Sequence, residues 1–188
     1  LYNTKFYHKN IFENADKIYN KTKFPYNIDG LVFIGTNSEY RSVIYKWKPL
    51  DELTTDFLVK QSPIKDTFYL YVTINKKDLQ KYNIEVDDDH DKLFPMFNTN
   101  AFYVPIKFQM PNIKKKTYIV EDSTLKDNTV VEFSYNNKWI KTKLRIDKTE
   151  KYQQSMRMKK FFGPNAFGVA YDNWTSLHEN PITLDIIT

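Results

Sequence analysis

The chain has 188 residues, 41% of them hydrophobic and 16% aromatic, a formal net charge of +5, four glycines and no cysteine. That length and apolar content suffice for one domain, or for a small domain with a piece of another, and exclude a disordered tail. The missing cysteines exclude disulfide scaffolds and thiolate metal sites, no Gly-rich phosphate loop is present, and no apolar run approaches the roughly 20 residues of a membrane helix.

The absence of cysteine fits a reducing compartment. The positive charge suits a polyanion such as a nucleoside triphosphate or RNA. A Lys- and Asn-rich protein from an AT-rich genome would show the same balance. There is no signal-peptide pattern. The first residue is not Met, so a fragment of a longer chain is expected.

In chain order, Ile11, Phe12, Ala15, Ile18 and Tyr19 recur at helical spacing, with Asn3 or Thr4 as candidate N-caps and Pro25 closing the segment. Two strands are expected next, over 28–34 and 43–48, with a turn at Gly35-Thr36-Asn37-Ser38. A second unit is expected from about residue 58. Its first strand, 67–74, carries Phe68, Leu70, Val72 and Ile74 on one face. A polar insertion near 75–100 holds a short helix and the acidic run Asp87-Asp88-Asp89-His90-Asp91, which reads as a solvated loop. Strands follow at 101–109, 117–120, 129–135 and 139–146, the last two joined by a tight turn at Asn136-Asn137. Five short strands outside the insertion predict a small closed barrel of the OB type. Helices are expected at 150–160, stopped by Gly163-Pro164, and over a stripe of Ala166, Val169, Ala170, Trp174 and Leu177. Trp139 and Trp174 are expected in the core. Tyr and Phe side chains on the barrel strands suit core packing, and could also stack on bases. His8, His90 and His178 show no metal-ligand spacing.

Three short patterns carry chemistry. Asp29-Gly30 lies at the start of one strand, and Lys46-Trp47-Lys48-Pro49 ends the next. Alternation puts Lys46 and Lys48 on one face and Trp47 on the other. Two adjacent ammonium groups are best tolerated where an anion, such as a phosphate, sits between them. Asp29 would place a carboxylate near that anion, able to hold a divalent metal. A lone Lys-x-Lys pair also fits solvated lysines on a plain ribbon. The third pattern is Arg145-Ile146-Asp147-Lys148, read as Arg145 and Asp147 on one strand face with Lys148 at the strand end. Arg offers a planar fork to phosphate oxygens and Lys a point charge. An ordinary surface pair of Arg145 with Asp147 is the plainer reading.

These patterns resemble motifs IV, V and VI of the covalent nucleotidyltransferases, the superfamily of capping enzymes and ATP- or NAD-dependent ligases. Lys-Trp-Lys-Pro followed by Thr54-Thr55-Asp56-Phe57 looks like the capping branch. Val130-Val131-Glu132-Phe133-Ser134, Asn173-Trp174 and Asn180-Pro181-Ile182-Thr183 look like the large mRNA-capping subunits of poxviruses, other cytoplasmic DNA viruses and cytoplasmic linear plasmids.

The resemblance implies an α+β chain in three parts. Residues 1–57 would be the C-terminal part of a nucleotidyltransferase domain, and 58–163 an OB-fold β-barrel. Residues 164–188 would be a helix and linker toward a methyltransferase domain. It implies a guanylyltransferase that moves GMP from GTP, through a lysyl-GMP intermediate, to the 5′-diphosphate end of mRNA. Lys46, Lys48, Arg145 and Lys148 would bind phosphates, Asp147 would assist, and Asp29 would help place Mg2+ or Mn2+. Further implied partners are the N-terminal remainder of the polypeptide and a small subunit. A viral factory, virion or cytoplasmic plasmid system would be the setting, with no membrane.

The family's nucleophile is a lysine two residues before an Asp-Gly. Here that position is Asn27, and no other Asp-Gly exists, so the chain alone is expected to be inactive. An ATP-dependent ligase fragment and a non-catalytic OB-fold RNA-binding module are the alternative readings.

Overall fold

The computed structural model describes residues 11–34, 44–86, 90–95, 97, 102–158 and 161–183. The candidate caps Asn3 and Thr4, the turn at 35–38, His8 and Asp87 to Asp89 lie outside these residues. The chain forms two compact units, Leu1–Leu53 with Ser176–Thr188, and Thr54–Thr175.

The first unit opens with α1 (Ile11–Asp16), which loosens into a π-turn over Lys17–Lys21. Two short strands, β1 (Leu31–Phe33) and β2 (Tyr45–Trp47), then pair antiparallel, with Val32 opposite Lys46. Both are shorter than their sequence pattern suggested. The fold of this ribbon rests on Gly30. Its φ is +144°, and a Cβ there would lie 2.2 Å from the Trp47 carbonyl oxygen. Only glycine lets the two backbones approach so closely. A 3₁₀ turn, Leu50–Glu52, follows Pro49.

The second unit is α+β, built on a six-stranded sheet whose strand pairs are all antiparallel. In order along the sheet run β5 (Tyr103–Lys107), β4 (Thr67–Asn75), β3 (Thr54–Gln61), β7 (Thr129–Asn136) and β8 (Lys138–Leu144), while β6 (Ile119–Glu121) pairs with β4. Phe68, Leu70, Val72 and Ile74 do share one face, in a core with Phe57, Phe108, Phe133, Phe167 and Trp174. Tyr71, Leu58 and Val130 point into a second cluster with Phe94, Phe97 and Phe161. Each such ring or branched side chain contributes about 1.5–3 kcal/mol on burial. Trp139 packs against the first cluster, edge-on to Phe57 at 4.9 Å. The Asn136-Asn137 turn is as expected, with Asn137 at φ +56°.

The short helix of the insertion is α2 (Lys76–Tyr82); the Asn75 side chain accepts from the Asp78 N–H at its start. A second short helix, α3 (His90–Leu93), follows, and His90 is buried there rather than solvated. The chain then closes with α4 (Ile146–Met158) and α5 (Phe167–His178).

Two expectations are corrected. Residues 54–61 form the central strand β3, where the sequence reading began the second unit near residue 58 and put its first strand at 67–74. Asp56, Phe57, Leu58 and Val59 are all buried, so β3 lacks the alternation that marks a half-exposed strand. Also, β8 ends at Leu144 and α4 begins at Ile146, so Arg145 and Asp147 do not share a strand face. The break is fixed by Thr149. Its hydroxyl donates to the Arg145 carbonyl and accepts from the Val130 N–H. The helix therefore starts four residues before the expected Glu150.

Candidate functional site

In the first unit, the Gly30 contact brings the start of β1 against the end of β2. Lys48 Nζ thereby lies 2.5 Å from Asp29 Oδ2. Lys46 is exposed in mid-strand and joins neither group among the described residues. Trp47, between the lysines, turns inward: its ring meets Tyr19 edge-on at 5.1 Å, and its Nε1–H donates to the Ile182 carbonyl at 2.9 Å. Among the described residues no group of three metal-ligating side chains occurs. Asp29 alone fits a cation that takes one protein carboxylate and fills its sphere with phosphate oxygens and water, as Mg2+ does.

In the second unit, the sheet register sets an electrostatic problem. Asp56 on β3 lies directly opposite Glu132 on β7. Like charges so placed repel. Arg145 resolves this, with Nη1 at 2.8 Å from Asp56 Oδ2 and 3.6 Å from Glu132 Oε2. Its Nε and Nη2 form a fork on Asp147, at 3.0 and 2.8 Å. Lys148, one turn into α4, donates to the same Asp56 Oδ2 at 2.5 Å. The three motif residues thus do converge, around a carboxylate the sequence reading had quoted only as part of a family likeness.

Asp56 is the residue at the centre of this group that sequence reasoning did not single out. Its side chain is 8% exposed, against 24% for Arg145 and 22% for Lys148. Its backbone is clamped from both sides by Asn165, whose Oδ1 accepts the Asp56 N–H and whose own N–H donates to the Asp56 carbonyl. Its Oδ1 is buried and takes no hydrogen bond from the described residues. Asp56→Ala leaves Lys148 without its carboxylate and Arg145 with only Asp147 and Glu132, in a half-buried space. It is expected to cost about 1–3 kcal/mol, read as a lowered urea midpoint. An unchanged midpoint would mean that the cluster contributes nothing to the fold.

The Arg145 fork holds Asp147 well below the ordinary carboxylate value, at about 2, and in return raises the Arg145 guanidinium. The folded pKa is depressed, so this contribution is complete above the unfolded value near 4 and is lost as pH falls toward 2. The difference in urea midpoint between the parent and Asp147→Asn should be flat from pH 7 to 5 and shrink steeply as pH falls from 4 to 2. It should also shrink with salt, because Asp147 is exposed. A difference that is the same at pH 2 as at pH 5 would assign it to packing.

The fold and these residues define an α+β protein with a Lys48–Asp29 pair in its first unit and Arg145 and Lys148 gathered on Asp56 in its second. No family model matches the chain. A probable mRNA-capping enzyme of Acanthamoeba polyphaga mimivirus is 29% identical over 215 residues, covering 95% of this chain and 17% of that protein. The mRNA-capping enzymes of two African swine fever virus isolates, Tick/South Africa/Pretoriuskop and Warthog/Namibia, are 26% identical over 187 residues, covering 87% of this chain and 21% of theirs. The chain is a homologue of these viral mRNA-capping enzymes along most of its own length, and it spans 17–21% of theirs.

Proposed function

We propose that the chain is part of a viral mRNA guanylyltransferase and supplies the phosphate-directed residues outside the nucleophile motif. The observation that carries this is the likeness to viral mRNA-capping enzymes over 95% and 87% of the chain. The Asp-Gly, Lys-Trp-Lys-Pro and Arg-x-Asp-Lys patterns stand in family order within it. On this reading the first unit belongs to a nucleotidyltransferase domain continued elsewhere in the polypeptide. Its three-residue strands, with Val32, Ile34, Ile44 and Tyr45 half or more exposed, are too short to stand as a sheet alone. The second unit is read as the OB-fold, and the tail after α5 as the lead into a methyltransferase domain.

In the first step an upstream lysine attacks the α-phosphorus of GTP. A P–N bond forms, the P–O bond to pyrophosphate breaks, and Lys46 and Lys48 hold the phosphate charge as it shifts. A divalent cation, when bound with Asp29 among its ligands, neutralises phosphate charge. Arg145 and Lys148, with Asp147 orienting the guanidinium, turn toward the β- and γ-phosphates. In the second step GMP passes to a β-phosphate oxygen at the RNA 5′ end, and the lysine is freed.

The test is label transfer with radiolabelled GTP or ATP. The full-length protein should gain a GMP label from GTP and none from ATP, whereas the 188-residue chain should gain none from either. An AMP adduct would make the protein a ligase. A lysyl-GMP adduct on the chain alone would show that the nucleophile lies within it.

A further inference from the structure

The second unit carries a cationic surface that the phosphate-directed residues do not use. A cleft of about 280 Å³ lies between residues 115–121 and the β7–β8 hairpin. Lys115, Lys116 and Lys138 line it with Tyr135 and Trp139, and among the described residues Glu121 is the one carboxylate on its wall. All three lysines are exposed, and none forms a salt bridge among the described residues. The contrast with the Arg145 cluster is direct. There Asp56, Glu132 and Asp147 face Lys143, Arg145 and Lys148, charge for charge. In the cleft, positive charge is left uncompensated.

The cleft is also firmly built. Gln109 fixes the lysine-bearing loop from below: its Nε2 donates to the carbonyls of Met110, Ile113 and Lys115, and its Oε1 accepts from the Thr117 N–H. Thr117 Oγ1 donates to the Phe108 carbonyl and accepts from the Met110 N–H. Across the cleft, Trp139 Nε1 donates to the Thr117 carbonyl at 2.6 Å, and Lys115 Nζ to the Asn137 carbonyl. A loop held by this many hydrogen bonds presents its ammonium groups in a defined place. The half-buried Tyr135 and Trp139 rings give the cleft aromatic surface.

We propose that this cleft binds the backbone of single-stranded RNA downstream of its 5′ end. Successive phosphates on a flexible strand meet lysines on both walls, and base faces meet the rings. A duplex is too wide and stiff to enter, and an acidic peptide makes no use of the rings. The choice of RNA rests on the capping reading; the charge alone asks only for a polyanion.

The test uses the full-length protein and a 5′-hydroxyl, single-stranded 12-nucleotide RNA, read by fluorescence anisotropy. The variant is Lys115→Gln with Lys116→Gln and Lys138→Gln. The control, Lys65→Gln with Lys76→Gln and Lys77→Gln, removes equal charge from exposed positions elsewhere. The cleft variant should bind about 10-fold or more weakly at 150 mM salt. Its slope of log K against log[salt] should fall by about 2, since each phosphate contact to a single strand contributes about 0.7. The control should change binding less than 3-fold. GMP adduct formation, which needs no RNA, should be normal in the cleft variant. Unchanged binding, or equal loss in the control, overturns the cleft. Binding of labelled poly-glutamate to the parent more tightly than the RNA, and lost in the cleft variant, makes the cleft an acidic-protein site and overturns RNA as occupant. If the parent forms no GMP adduct at all, the capping reading fails separately.

Discussion

Lys48→Ala and Lys46→Ala, each made in the full-length protein, are expected to lower GMP adduct formation from GTP by on the order of 30- to 1000-fold. The figure converts about 2–4 kcal/mol of transition-state stabilisation, the usual loss when one preorganised charge is removed from a reacting phosphate. The structure separates the two residues. Lys48 is already held by Asp29, with its side chain 39% exposed, so its ammonium is in place before any ligand arrives. Lys46 is exposed and unpaired among the described residues, so it can take a phosphate without breaking a bond. Asp29→Asn should therefore imitate Lys48→Ala more closely than Lys46→Ala. The fold should survive both lysine changes, since neither side chain is in a core. Gly30→Ala should lower adduct formation by another route. A Cβ 2.2 Å from the Trp47 carbonyl forces the ribbon apart and takes Asp29 from Lys48. Near-normal adduct formation by Lys46→Ala and Lys48→Ala would remove these lysines from the site.

Arg145→Ala in the full-length protein is expected to slow adduct formation roughly 100-fold or more. It should slow transfer from pre-formed enzyme-GMP to diphosphate-ended RNA clearly less. The motive is that Arg145 and Lys148 lie on the second unit, while Asp29, Lys46 and Lys48 lie on the first. On the proposed reading they act when the OB-fold closes over the triphosphate, and their ligand leaves with pyrophosphate. The resemblance ends the nucleotidyltransferase part at residue 57, which would leave 49–57, after the Lys-Trp-Lys-Pro pattern, as the pivot. Residues 54–57 are instead fixed in β3, which leaves Pro49 to Leu53 on this crossing. The chain crosses between the units again within α5, after Thr175, so a pivot must accommodate both crossings.

Arg145 also separates Asp56 from Glu132, so its loss carries a fold cost that could slow both steps. Arg145→Lys distinguishes the two roles. A lysine keeps a positive charge between the carboxylates but loses the fork. It should keep more of the parent's urea midpoint than Arg145→Ala does, and still depress the first step more than the second. Equal losses in both steps, in both variants, would remove the closing-lid account.

The charged residues of the candidate site were legible in the sequence because they stand in short contiguous patterns. Asp29-Gly30, Lys46 to Pro49 and Arg145 to Lys148 each span a few residues, and the Arg145–Asp147 pair forms within its own pattern. The alternation of Phe68, Leu70, Val72 and Ile74 gave β4 its face, and Asn136-Asn137 gave the hairpin its turn. Both signals are local, since strand period and left-handed turn residues depend on near neighbours.

The tertiary structure alone decided three things. It made 54–61 a strand buried between β4 and β7, which erases the period-2 pattern that marks strands in a sequence. It ended β8 before Arg145 through Thr149, whose hydroxyl reaches Val130 on another strand. And it made Asp56 the shared partner of Arg145 and Lys148, 89 and 92 residues away. A charge finds such a partner through sheet register, which places Asp56 opposite Glu132 and calls a cation between them. Register is a property of the assembled sheet, so residue types and spacing name the charges, and only packing settles which of them meet.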